Sequence, residues 1–215
     1  MGRTSTSCDA SGGAAGAPRG TAPWHWPRRR GFGYGMQERD ERHPMVTLEF
    51  ARMMARYNRW QNRSLVAAAD RLTDAARWQD RGAFFGSIAG TLNHILWDDR
   101  VWLARLTGDR AAAERIGARH PYTDAPRDWG TYRSERAALD DDIVAWADAL
   151  RHADLDRAVP WQRGPDTVET GCGFNVAHLF NHQTHHRGQV HAMLTSAGLS
   201  PDPTDLQMLA MYDAP

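Results

Sequence analysis

Four of the chain's ten histidines, His178, His182, His185 and His186, fall within nine residues. An α-helix turns about 100° and rises about 1.5 Å per residue, so residues four apart share a face roughly 6 Å apart. At that spacing two imidazoles reach a single metal ion. His182 and His186 stand so, and so do His178 and His182. His178 and His186 are about 12 Å apart along the axis and cannot share an ion whose bonds to nitrogen are about 2 Å long. His185, three residues beyond His182, completes a third candidate pair. Two imidazoles leave a shell short of ligands, so a second element should contribute. His94, set among apolar residues in TLNHILW, suits this better than His152, which stands beside Arg151 and close to Asp154. Three neutral imidazoles with the remaining positions left to water are a common plan for catalytic zinc; imidazole equally suits nickel, iron and copper. The plain alternative is a satisfied core histidine at 94 and a solvated face at 178–186. Against it stands the cost of unpartnered polar groups on a core helix.

Four helical runs position these residues. In the first, from Met45, Phe50, Met53, Met54, Tyr57, Trp60, Leu65 and Leu72 recur at steps that place them on one face. In the second, Phe84, Ile88, Leu92, Ile95, Trp102 and Leu106 recur, with Gly108 suited to a C-cap. The third runs from about Pro126, a residue suited to a helix start, to His152, and carries Trp129, Tyr132, Leu139, Ile143, Trp146 and Leu150. The fourth runs from about Phe174 to Gly198. Between the last two, Val159, Trp161, a Gly-Pro-Asp turn and Val168 read as a short hairpin or loop. Four amphipathic helices with one irregular crossover describe an all-α four-helix bundle over residues 45–215. Residues 1–44, rich in Gly, Ala, Ser, Pro and Arg without periodicity, read as a disordered tail that could lie upstream of the true start, at Met36 or Met45. The Arg28–Arg30 run has no apolar segment after it, so a twin-arginine export signal does not fit.

Composition removes several functions. Acidic and basic residues both number 26, and every basic residue is Arg. Without lysine there is no Schiff-base chemistry and no P-loop. A nucleic-acid partner would call for a basic face, which is absent after the tail, and no apolar run is long enough for a membrane span. The two cysteines, Cys8 and Cys172, are not placed for a structural disulfide, which points to a reducing cytoplasm. A di-metal carboxylate bundle needs Glu-x-x-His pairs, and none of Glu49, Glu114, Glu135 or Glu169 has a histidine three residues on. No His-Glu pair supports a zincin.

The stretch FNHQTHHRGQVHAML resembles the last-helix signature of the DinB family of metal-dependent bundles, an HxxxH followed by Arg-Gly-Gln, here His182, His186, Arg187, Gly188 and Gln189. RYNRWQN (Arg56 to Asn62) resembles the family's first helix, and LNHILWDDRVWLARLTG its second, whose histidine is the third ligand. The resemblance covers most of Met45 to Tyr212. It implies an up-down-down-up bundle, a homodimer, and a three-histidine site made by His94, His182 and His186. It implies one divalent ion per chain, nickel or zinc first and iron or manganese next. It further implies a small-molecule substrate, with a low-molecular-weight thiol as co-substrate of a transferase or hydrolase. The competing reading is a non-catalytic, damage-inducible or stress-response metal module.

Around the site, Asp98 is one turn beyond His94 and could accept from a ligand imidazole; the simpler reading joins Asp98 and Asp99 with Arg100 in a surface charge group. Tyr57 and Asn58 could line the site, with plain core the alternative for Tyr57. Arg187 and Gln189 read as braces of the bundle or dimer. Cys172 precedes the fourth helix, where a helix N-terminus lowers a thiol's pKa, with a passive loop cysteine as the alternative.

Overall fold

The computed structural model describes residues 45–118, 128–163 and 166–212, all within the compact unit Asp40–Pro215. The expected tail at 1–44, Cys8, Pro126 and the first two residues of the Gly-Pro-Asp turn lie outside the described residues. Those described are mostly helical. The long helices are α1 (Leu48–Asp70), α3 (Ile88–Thr107), α5 (Trp129–Ala149) and α7 (Cys172–Ser196). Short helices α2 (Asp74–Trp78), α4 (Arg110–Gly117), α6 (His152–Leu155) and α8 (Leu209–Tyr212) join or follow them. None of the short ones is announced by the sequence's apolar spacing. Strands β1 (Ala158–Arg163) and β2 (Asp166–Gly171) pair antiparallel, Trp161 opposite Val168, where the hairpin was expected.

Local chemistry sets the helix starts. The hydroxyls of Thr47 and Ser87 accept from the backbone N–H groups of Phe50 and Gly90, and the Asp128 carboxylate accepts from that of Thr131. α3 stops at Gly108, whose φ of 85° is the left-handed turn that glycine adopts freely, and the next N–H returns to the Ala104 carbonyl. Two expectations fail at the ends. Phe84 does not belong to the second helix; it is exposed in the turn before Ser87. α5 ends at Ala149, and His152 opens α6.

α1 packs along α5 and α7, and α3 packs along α7 and α5. Leu65, Ile88, Leu92, Tyr132, Ile143, Leu179, Phe180 and Leu194 fill the space between them. The buried face of α1 keeps Tyr57, Trp60 and Leu65 of the expected stripe and adds small and polar residues to it. Ala51, Ala55, Ala68 and Ala69 are its small contact residues, Asn58, Gln61 and Asn62 are buried beside them, and Phe50 is exposed. The buried polar groups have a purpose. Arg136 of α5 ion-pairs with Asp99 of α3 at 2.6 Å and with Asp140 at 2.9 Å; the Gln183 amide of α7 donates to Asp99, and the Asn62 amide of α1 donates to Asp140. One buried cation and its partners thus join all four long helices. Among the described residues no helix is long and apolar enough to cross a membrane.

Candidate metal centre

His94 sits midway along α3, and His182 and His186 are one turn apart on α7. The packing of α3 against α7 brings the three together. His182 Nε2 is 3.2 Å from His94 Nε2 and 3.1 Å from His186 Nε2. The potential ligand atoms of the three residues all lie within 4.8 Å of one another. Two metal–nitrogen bonds of about 2.0–2.1 Å at a tetrahedral angle would hold their nitrogens about 3.3 Å apart.

The outer nitrogens decide what the inner ones present. His182 Nδ1 is 3.0 Å from Asp98 Oδ2, and His186 Nδ1 is 2.8 Å from Gln189 Oε1. A carboxylate and an amide oxygen only accept, which favours the Nδ1 proton on both rings, so in their neutral forms the two turn bare Nε2 lone pairs toward each other. Converging lone pairs repel unless a cation lies between them, so the donor set fits a divalent ion. His94 Nδ1 is buried with no hydrogen-bond partner among the described residues.

Protonation follows the surroundings. Burial pushes His94 down to about 3, despite the raising influence of Asp98. Burial also lowers His186, partly offset by Gln189. At His182 burial acts the same way, but the hydrogen bond and charge of Asp98 outweigh it and hold the imidazole above its ordinary value. Asp98 is itself raised by burial, yet contact with His182 and the charges of His94 and His178 keep it below the usual carboxylate range.

Phe85, in the turn before α3, stacks on the His94 ring at 3.9 Å and lies tilted to His186 at 5.2 Å, closing one side. A Cβ at residue 90 would come within 2.4 Å of the Phe85 carbonyl oxygen, so only glycine there lets this turn sit so close to α3.

The other candidates divide. His178 meets Trp102 edge-on at 4.9 Å, and His185 is exposed, 3.4 Å from the Gln189 amide. Tyr57 is core, its hydroxyl donating to the Thr204 carbonyl. Asn58 is fully buried, its amide atoms without partners among the described residues. The surface group Asp98/Asp99–Arg100 does not exist. Asp98 touches His182, Asp99 is buried on Arg136, and Arg100 pairs with Glu135. Arg187 does brace the interior, buried with its guanidinium over the Tyr57 ring, whereas Gln189 orients a site histidine. Cys172 is the first residue of α7, free and fully buried, and burial raises its pKa where the helix N-terminus was expected to lower it. Gln189 was within reach of sequence reasoning, being three residues from His186 on the same face. Phe85 was not, because a turn has no periodicity to read.

The model of the DinB family matches residues 45–213. Among curated proteins, the chain is similar to Protein DinB of Bacillus subtilis (strain 168), at 23% identity over 163 residues, covering 73% of this chain and 91% of that one. No solved structure matches the chain.

Proposed function

The chain belongs to the DinB family, and from that premise we propose that it is a metal-dependent enzyme of the transferase or hydrolase type, with His94, His182 and His186 as ligands of one divalent ion. The convergence of the three Nε2 atoms carries the reading. Nickel or zinc suits three imidazoles best, ahead of iron or manganese. When bound, such an ion lowers the pKa of a coordinated thiol or water and polarises a leaving group. The chain's own residues do the rest. Asp98 and Gln189 keep the Nδ1 protons of His182 and His186 in place, and Phe85 keeps water off the face of His94. Three protein ligands leave positions for a low-molecular-weight thiol and a small-molecule substrate. The scaffold we assign is an up-down-down-up four-helix bundle, supported by each long helix packing on two others. A free buried Cys172 agrees with a reducing cytoplasm.

Metal analysis of the purified protein, followed by thiol titration of the loaded form, tests the reading. A shell that no thiol enters would favour the non-catalytic stress-response module. The pH dependence is also set. Burial already favours neutral His94 and His186, so the proton to be displaced near neutrality is that of His182. Apparent affinity should therefore begin to fall while pH is still above about 6.5, the ordinary imidazole value, because His182 is held above it, and by about tenfold per unit at first. Chelator competition across this range measures the slope, and a slope of three from the outset would contradict it. We further propose a homodimer through the bundle faces, in keeping with the family. Light scattering at micromolar concentration decides it, a mass near the 24.1 kDa monomer counting against it.

A further inference from the structure

A line of rings leads away from His182. His178 stacks on it at 5.9 Å and meets Trp102 edge-on at 4.9 Å, and Trp102 lies 6.0 Å from Trp161 of β1. The guanidinium of Arg105 covers Trp102 at 4.6 Å and approaches Trp161 at 5.8 Å. Positions 94, 98, 102 and 105 follow one another by four, four and three, so they form one stripe of α3 that begins at the three histidines. The facing stripe of α7 runs 186, 182, 178.

Arg105 is half-buried, and among the described residues its direct partners are the two tryptophan rings. Among the described residues, buried Arg136 holds two carboxylates, and Arg77 holds Asp74 and two backbone carbonyls. Among the described residues no hydrogen bond or ion pair engages the fork of N–H donors of Arg105, and such a fork matches a carboxylate with two parallel hydrogen bonds. It also lies near enough to Asp98 and His178 for charge to be felt between them. The local charge agrees. Three neutral imidazoles would leave an ion's double charge balanced only by Asp98, and Arg105 adds a further positive charge.

We propose that Arg105, walled by Trp102, Trp161 and His178, is a subsite for the carboxylate of a small-molecule substrate whose other end reaches the three histidines. Arg105 is about 16 Å from His94 along the helix axis, and its side chain leans back toward the N-terminus. The carboxylate and the reacting atom are then separated by on the order of 10 Å. The placement of the reacting end rests on the proposed metal function; the carboxylate subsite does not need the ion.

The test is calorimetric titration of the full chain, nickel-loaded and metal-free, with two matched pairs: octanoate against octanol, and ω-mercaptooctanoate against ω-mercaptooctanol. Each acid should bind at least about tenfold more tightly than its alcohol, the worth of a charge-assisted pair. Arg105→Gln should erase that preference while leaving nickel stoichiometry unchanged, and Arg105→Lys should keep part of it. If the Gln variant does not fold, Arg105→Met preserves the stem against Trp102 and answers the same question. Equal binding of acid and alcohol, a preference that survives loss of the guanidinium, or no carboxylate binding to the folded protein would each overturn the subsite. If the acids are preferred but the thiol adds nothing in the nickel form, the subsite stands and the thiol reading of the metal centre falls.

Discussion

His186→Ala is expected to purify without metal, whereas His185→Ala, one residue away, should retain a near-stoichiometric ion. The two positions differ by about 100° around α7. His186 turns its Nε2 to within 3.1 Å of His182 Nε2 and is held from behind by Gln189, while His185 is exposed. Removing His186 deletes one of three protein bonds, so the loss of affinity should exceed the ten- to hundredfold typical of outer-shell partners. His94→Ala and His182→Ala should behave alike, and His178→Ala and His191→Ala should resemble His185→Ala. Asp98→Asn belongs between these classes, at about ten- to hundredfold, because it disturbs only the orientation and basicity of His182. Metal content after dialysis, read beside a circular dichroism spectrum to confirm folding, separates the three groups. A His185 variant that loses the ion while the His186 variant keeps it would refute the ligand assignment.

Arg136→Leu should be the most damaging single change away from the histidines. Asp99 and Asp140 are both buried, and Arg136 is the cation paired with each. Breaking a buried ion pair from one side typically costs about 3–5 kcal/mol, which for a chain of this size lowers Tm by on the order of 10 °C. The pH dependence gives a signature that a simple cavity would lack. Burial already raises Asp140 to about 6, against the pull of Arg136 and Asn62. Without the guanidinium both carboxyls should rise further above their unfolded value near 3.9. A group whose folded pKa is raised is best tolerated below its unfolded pKa and becomes a burden as pH rises through the folded value. The deficit should therefore be larger at pH 7 than at pH 5, and Asp140→Asn added to Arg136→Leu should recover part of it. Thermal melts at the two pH values check this, and a deficit independent of pH would exclude the electrostatic account.

Helical character was legible because apolar residues recur at three and four, and the α3 terminus was legible at Gly108. The histidine set was only half legible. Spacing left His178, His182, His185 and His186 in competing pairs, and the RGQ string following His186 was what ranked them. The structure separates them in two ways, turning His185 outward by phase and leaving His178 on the same face but a turn farther along, against Trp102. Phase is also what concealed Asp98 and Asp99. Adjacent carboxylates followed by an arginine look like a solvated charge group, yet one turns to His182 and the other to Arg136. α1 was legible in part for a related reason. Tyr57, Trp60 and Leu65 are buried as their spacing implied, but the alanines and amides beside them carry little apolar signal, while Phe50 carries much and is exposed.

The doublet Asp98–Asp99 faces the doublet His182–Gln183, Asp98 contacting His182 and Asp99 accepting from Gln183. The inner pair belongs to the ionic core and the outer pair to the three-histidine cluster, and each pair lies next to the other in sequence on both helices. The angular setting of α3 against α7 is thereby shared between folding and chemistry. Buried ion networks are commonly replaced by aliphatic residues with a gain in stability. Here such a redesign would release the clocking of one helix on the other, and a slip of one residue swings a side chain through about 100°. A sturdier protein made in this way would hold its histidines less exactly, a local form of the trade between robustness and preorganisation.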